Sequence, residues 1–242
     1  MAVRPAALNT AIAWLFAVGS ALFVLGSVPA YANAVGSTAD SITYFIGSIF
    51  FTSASFSQLV QAQTPAMTNV DVESQHIKAP VRFLAWLPHD RNWLAAITQF
   101  PGTLFFNIST LAALIQNLTV KQQDRRIWRP DFYGSTLFLI ASVFGILALG
   151  RFLSFRPRFL PWHIAWLNMI GSILFMFSAL ASYVLPTTGE FINSQFSLAG
   201  TLLGAVCFFL GAILMLPAWQ HAVRATEPAR GEDPQQSAAF DQ

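Results

Sequence analysis

The chain has 242 residues, 55% of them hydrophobic and 10% charged, with a formal net charge of +2 at pH 7, where an average soluble domain carries about 25% charged residues. That balance excludes a disordered, collagen-like or free nucleic-acid-binding chain, and the one cysteine, Cys207, excludes an intrachain disulfide. The apolar residues gather instead in blocks of about 20, the length that crosses a bilayer.

Six blocks qualify in chain order: residues 9–28, 41–60, 93–115, 132–152, 163–185 and 195–217. None contains Asp, Glu or Lys, and the one Arg, Arg151, stands at a span end where it can snorkel to headgroups. Because a bilayer leaves only helices or closed barrels and no block alternates in polarity, the expected class is an all-α integral membrane protein with six transmembrane helices. The third block is interrupted by Gln99, Pro101 and Asn107, so a kinked and a re-entrant form both stay open. The first block also fits a secretory signal, with Ala32-Asn33-Ala34 as its cleavage motif. Its echo later in the chain favours a retained span.

The loops set the expected orientation. Arg4, Lys78, Arg82, Arg91, Arg151, Arg156, Arg158, Arg224 and Arg230 fall on one side, nine bases against four on the other. Both termini are therefore expected in the cytoplasm, with the protein in the inner (plasma) membrane of the cell. The four opposing bases, Lys121, Arg125, Arg126 and Arg129, share the third loop with Asp124 and Asp131. That loop is either hydrated or a docking site for anionic lipid or a partner. In the second loop, residues 81–87 form a short apolar run around Trp86, flanked by bases, that could lie in the interface; residues 64–73 are expected as a mobile loop and residues 226–242 as a disordered tail.

Self-similarity is the most specific signal. Ile12-Ala13-Trp14-Leu15 recurs as Ile164-Ala165-Trp166-Leu167, and Gly19-Ser20, Leu22-Phe23 and Tyr31 recur at the same offset as Gly171-Ser172, Leu174-Phe175 and Tyr183. Each copy then enters a second helix with a glycine-hydroxyl pair, Gly47-Ser48 and Gly200-Thr201, and the central pair carries weaker versions at Gly102-Thr103 and Gly134-Ser135. A shorter match of residues 46–49 with 170–173 would imply inverted halves instead. The preferred organisation is a cytoplasmic N-terminus (1–8), a first hairpin (9–61), a cytoplasmic loop (62–92), a central helix pair (93–153), a second hairpin (162–217) and a cytoplasmic tail (218–242).

The helices reading Tyr44-Phe45-Ile46-Gly47-Ser48-Ile49-Phe50-Phe51 and Asn168-Met169-Ile170-Gly171-Ser172-Ile173-Leu174-Phe175 resemble the YrhK-like family of small bacterial membrane proteins. The resemblance covers about 110 of the 242 residues, as two hairpins, and implies a helical membrane fold with no activity attached. In style the chain is also similar to actinobacterial multi-pass accessory subunits of Mce-type lipid importers. That likeness rests on no motif.

Glycine lets helix axes approach, and a neighbouring hydroxyl can bond across the contact where no water competes. Gly19, Ser20, Gly47, Ser48, Gly102, Gly134, Ser135, Gly171, Ser172 and Gly200 are accordingly expected as helix-packing positions. Gln99, Asn107 and Asn168 are the costliest groups inside the spans; they either bond between helices or line a polar pocket. No span holds a carboxylate, no G-x-S-x-G elbow is present, and His76, His89, His163 and His221 are scattered. No catalytic residue, cofactor or metal is expected. Two functions stay open: a non-enzymatic accessory subunit of an envelope complex, with membrane lipids and other integral subunits such as those of a lipid importer as partners, or a stand-alone transporter or lipid-binding protein with a small polar pocket.

Overall fold

The computed structural model describes residues 2–71, 75, 77–115, 117–150 and 156–226. Arg151, His76 and Arg230 and most of the expected tail lie outside them. Six long helices carry the fold: α1 (Pro5–Gly26), α3 (Ser37–Ala62), α5 (Arg91–Ala112), α7 (Arg129–Ala148), α8 (Leu160–Ala181) and α9 (Ser194–Arg224). Shorter helices sit between them: α2 (Pro29–Val35), α4 (Pro65–Thr68) and α6 (Val120–Gln123). A strand β1 (Ala2–Val3) pairs antiparallel with β2 (Ala79–Pro80) and ties the N-terminus to the second loop.

Four rods are long and apolar enough to cross a membrane: α1, residues 120–148, α8 and α9. At 22 residues, α1 is about 33 Å long against a hydrocarbon core of about 30 Å. Helices α3 and α5 match that length but are more polar than their blocks promised. Much of this polarity is returned to their own backbone, since Thr52, Ser53 and Ser57 donate to the carbonyls four residues earlier, as Thr110 does in α5. Pro101 sits inside an α5 that runs unbroken from Arg91 to Ala112.

Several boundaries differ from expectation. The third loop is mostly helix: a capping box between Thr119 and Gln122 starts α6, and a π-helical turn (Asp124–Trp128) carries it into α7 without a break. The Trp128 indole donates to the Ala179 carbonyl at 2.8 Å and pins this extension to the end of α8. Asp124 and Asp131 thus fall within a 29-residue helical rod, on the stretch that precedes the apolar block. Residues 36–40, expected as a loop, are mainly the first turn of α3, which starts after Gly36 at φ +82°, a conformation glycine reaches without strain. The last helix continues through Pro217 to Arg224, shortening the expected tail. The second loop is not featureless either, for it contains α4 and the fully buried Met67.

Each long helix packs on the next in the order α1, α3, α5, α7, α8, α9, and α9 returns to α1. The result is a closed ring of three hairpins. One sequence pattern explains the centre: a glycine followed four residues later by phenylalanine occurs once per long helix, as Gly19/Phe23, Gly47/Phe51, Gly102/Phe106, Gly134/Phe138, Gly171/Phe175 and Gly204/Phe208. Residues one turn apart share a helix face. Within each hairpin the two glycines face each other. A Cβ on Gly19 would meet the Gly47 carbonyl at 3.0 Å, one on Gly134 the Gly102 carbonyl at 3.0 Å, and one on Gly171 the Gly204 carbonyl at 3.1 Å. The six phenylalanines fill the axis, with ring centroids 5.1 to 6.4 Å apart and mostly edge to face.

The last hairpin corrects the register read from sequence. Gly204, not Gly200, is the partner of Gly171, because the ring selects the glycine one turn before a layer phenylalanine. Gly200 packs one turn away, where a Cβ would meet the Leu174 carbonyl at 2.8 Å.

The residue after each layer glycine is Ser20, Ser48, Thr103, Ser135, Ser172 or Ala205, every one buried. Several serve the seams between hairpins. Ser48 bonds Thr110 at 2.9 Å across α3 and α5; Ser172 bonds Ser142 at 2.8 Å and donates to the Phe138 carbonyl across α8 and α7. At the third seam the Ser20 hydroxyl has no hydrogen-bond partner among the described residues. Four residues after its layer phenylalanine, α9 has Ala212 where α7 has Ser142.

Candidate functional site: an amide-lined axial vestibule

On one side of the phenylalanine layer the ring stays open. A cavity of about 390 Å³ lies there, floored by Phe138 and Phe208 and walled by Ala141, Ser142 and Gly145 of α7 and Ile164, Ala165 and Asn168 of α8. Gln58 and Gln61 enter from α3, Gln99 from α5, and Thr68, Asp90, Asn92 and Trp219 surround the mouth. A narrower chamber of about 90 Å³ is bounded by Phe16, Gln58, Gln99, Asn168 and Phe208. Four amides from three hairpins therefore converge on one space.

Local sequence accounts for this convergence. Gln58 and Gln61 are three residues apart at the end of α3 and so share a face. In α5, Gln99 stands seven residues before Phe106, about 10 Å along the axis and one face with it. In α8, Asn168 likewise stands seven residues before Phe175. All three helices place their amides on the vestibule side of the layer.

The amides are not used up by the fold. The Gln58 Oε1 and Gln61 Nε2 atoms are sealed from solvent without a hydrogen-bond partner among the described residues, and Gln61 is 9% exposed. Such atoms cost about 1–3 kcal/mol each when left unpaired. Asp90, the only charged residue among the described residues of the lining, is spent on its own helix: its carboxylate accepts from the backbone N–H groups of Asn92 at 2.8 Å and Trp93 at 3.2 Å, capping α5. The Trp219 indole donates to Gln75 Oε1 at 3.2 Å and Thr226 to the Val70 carbonyl at 3.1 Å, which brings the second loop across the α9 end of the mouth.

Of the three amides singled out from sequence, Gln99 and Asn168 meet in the vestibule and Asn107 does not line it. Asn107 follows Phe106 on the far side of the layer, with its Oδ1 buried and unpaired. Gln61 and Ser142 were missed as pocket residues, although the three-residue spacing of Gln61 from Gln58 at a helix end was a usable signal.

The expected docking residues are dispersed. Arg129 pairs with Asp124 at 2.8 Å, Lys121 is exposed on α6, and Arg125 and Arg126 flank a recess with Gln122. Trp86 lies on the opposite end of the ring, edge-on to Trp93 at 5.5 Å and 80% exposed. Its segment is anchored through Arg82, whose backbone N–H donates to Thr64 at 2.8 Å and whose carbonyl accepts from Gln63 at 2.9 Å, while Phe83 stacks on Phe56 of α3. Gly19, Gly47, Gly102, Gly134, Gly171 and Gly200 all pack within the chain. No protein-family model, curated protein or solved structure matches the chain.

Proposed function

We propose that this chain is a six-span membrane protein, both termini cytoplasmic, that binds a small solute in the axial vestibule and acts by binding or transport, not by chemical turnover. The observation that carries the reading is the convergence of Gln58, Gln61, Gln99 and Asn168 on one cavity, two of their polar atoms being buried without a partner among the described residues. Buried polar groups are normally paired, and a concave site with a few convergent polar groups is the usual form of a ligand pocket. The small-residue faces that would have suited a partner helix are consumed inside the ring, which weakens the case for a subunit that works only by association. Three hairpins repeated in one orientation match the parallel repeats of one transporter class.

An accessory role in an envelope complex remains a second reading on one observation, the exposure of Leu84 at 93% beside Trp86. Purification in gentle detergent with identification of co-purifying chains tests it.

The vestibule reading has its own test. In a Cys207→Ser background, Gln99→Cys should react with a small impermeant thiol reagent applied to inside-out vesicles and resist it in intact cells, while Asn107→Cys should resist from both sides. Thr188→Cys, in the loop between α8 and α9, should show the opposite sidedness to Gln99→Cys. Labelling of Gln99→Cys from outside the cell, or equal labelling of both α5 positions, would contradict the reading.

A further inference from the structure

The vestibule also restricts what can occupy it, and the inference here rests on the proposed solute-binding reading. We infer that the site takes a neutral polyol of monosaccharide size, seated with its hydroxyls on the amide wall and its C–H face on the phenylalanine floor.

Charge is the first restriction. Among the described residues the lining contains no Lys, Arg, His or Glu, and the one carboxylate, Asp90, already accepts two backbone bonds. An ion entering this space would lose part of its hydration without gaining a counter-charge, which is unfavourable. A neutral molecule avoids that cost.

Hydrogen-bonding character is the second restriction. Each of the four wall amides carries a carbonyl acceptor and N–H donors, Gln58 and Gln61 standing three residues apart on α3. A hydroxyl both donates and accepts, so it matches whichever group of an amide faces the cavity. Gln99 and Asn168 supply further amides across the chamber. A ligand with hydroxyls on more than one side uses all of them, whereas an alcohol with one hydroxyl leaves most unmatched.

Shape and size complete the argument. Phe138 and Phe208 form an apolar, aromatic floor, whose ring faces are negative and attract C–H groups. The 390 Å³ volume equals about thirteen waters at ~30 Å³ each. A six-carbon polyol or hexose fits that space, and it carries both an apolar face and a hydroxyl rim.

The experiment uses the full chain in nanodiscs, with glucose and myo-inositol as neutral probes and gluconate and glucosamine as charged counterparts. Calorimetric titration should show binding of a neutral probe, and Gln61→Leu and Asn168→Leu, on different hairpins, should each weaken it about tenfold, the loss of one good hydrogen bond to a neutral ligand. The same probe should protect Gln99→Cys from thiol labelling. If Gln99→Cys labels readily but no neutral probe binds or protects, or a charged counterpart binds tighter, the polyol assignment fails and the vestibule reading stands. Failure of Gln99→Cys to label in folded protein would remove the vestibule reading and the assignment with it.

Discussion

Replacing Gly204 with leucine should cost about 3 kcal/mol or more and leave little folded protein. A Cβ at this position runs into the Phe175 ring and comes within 3.0 Å of the Gly171 carbonyl. The ring belongs to the axial layer and the carbonyl to a helix backbone, so neither moves without separating α8 from α9. Overpacking of a tight contact costs about 1–3 kcal/mol, sometimes more, against a total stability of roughly 5–15 kcal/mol. The expected readout is a large fall in melting temperature in mild detergent, with loss of the monodisperse species. A melting temperature within a degree or two of the parent would show that α8 and α9 do not cross where described.

Gly145→Leu should behave in the opposite way. Gly145 lines the vestibule, and a Cβ there meets nothing within 4 Å. Leucine also favours helix over glycine by about 0.5–1 kcal/mol, so stability should hold or rise by that amount. The side chain nevertheless projects into the space that the ligand needs. Thiol labelling of Gln99→Cys should fall to a small fraction of its rate in the Gly145→Leu background, and solute binding should be lost. A destabilised protein would mean that α7 packs against something at this position, and unchanged labelling would mean that the space is reached by another route.

These two glycines show what the sequence does and does not reveal. Hydrophobic blocks and their lengths made the six long helices legible, since span length depends only on local composition. The layer positions of α1 and α8 were legible because Gly19-Ser20 and Gly171-Ser172 match at one offset. In α9 the same logic selected Gly200-Thr201, and the reason is physical. The hydroxyl after a layer glycine serves the seam with the next hairpin, a role that varies from seam to seam, whereas the phenylalanine four residues on serves the shared axis. Ala205 occupies the hydroxyl's place, so the glycine-phenylalanine spacing was the sounder marker.

The site was half legible for a related reason. Gln99 and Asn168 stand out as amides within apolar runs, but whether they meet depends on the closure of the ring, which no single helix encodes. Gln58 stands out with the hydroxyl-rich end of α3, but Ser53 and Ser57 in that stretch merely bond their own helix. The extension of α7 was readable in the Thr119 to Gln122 capping box, but its four bases made the segment look like loop.

The central claim is that helices from different hairpins enclose one axial chamber, and a cross-ring cysteine pair tests it most directly. Gln58 on α3 and Asn168 on α8 bound the same 90 Å³ space although these helices are not neighbours in the ring. With Gln58→Cys and Asn168→Cys in a Cys207→Ser background, a short bifunctional thiol reagent should join residues 58 and 168 within one chain. Mass spectrometry of the digested monomer should then find the bridged peptides. Quantitative modification of both cysteines without any intrachain bridge would contradict the enclosed vestibule.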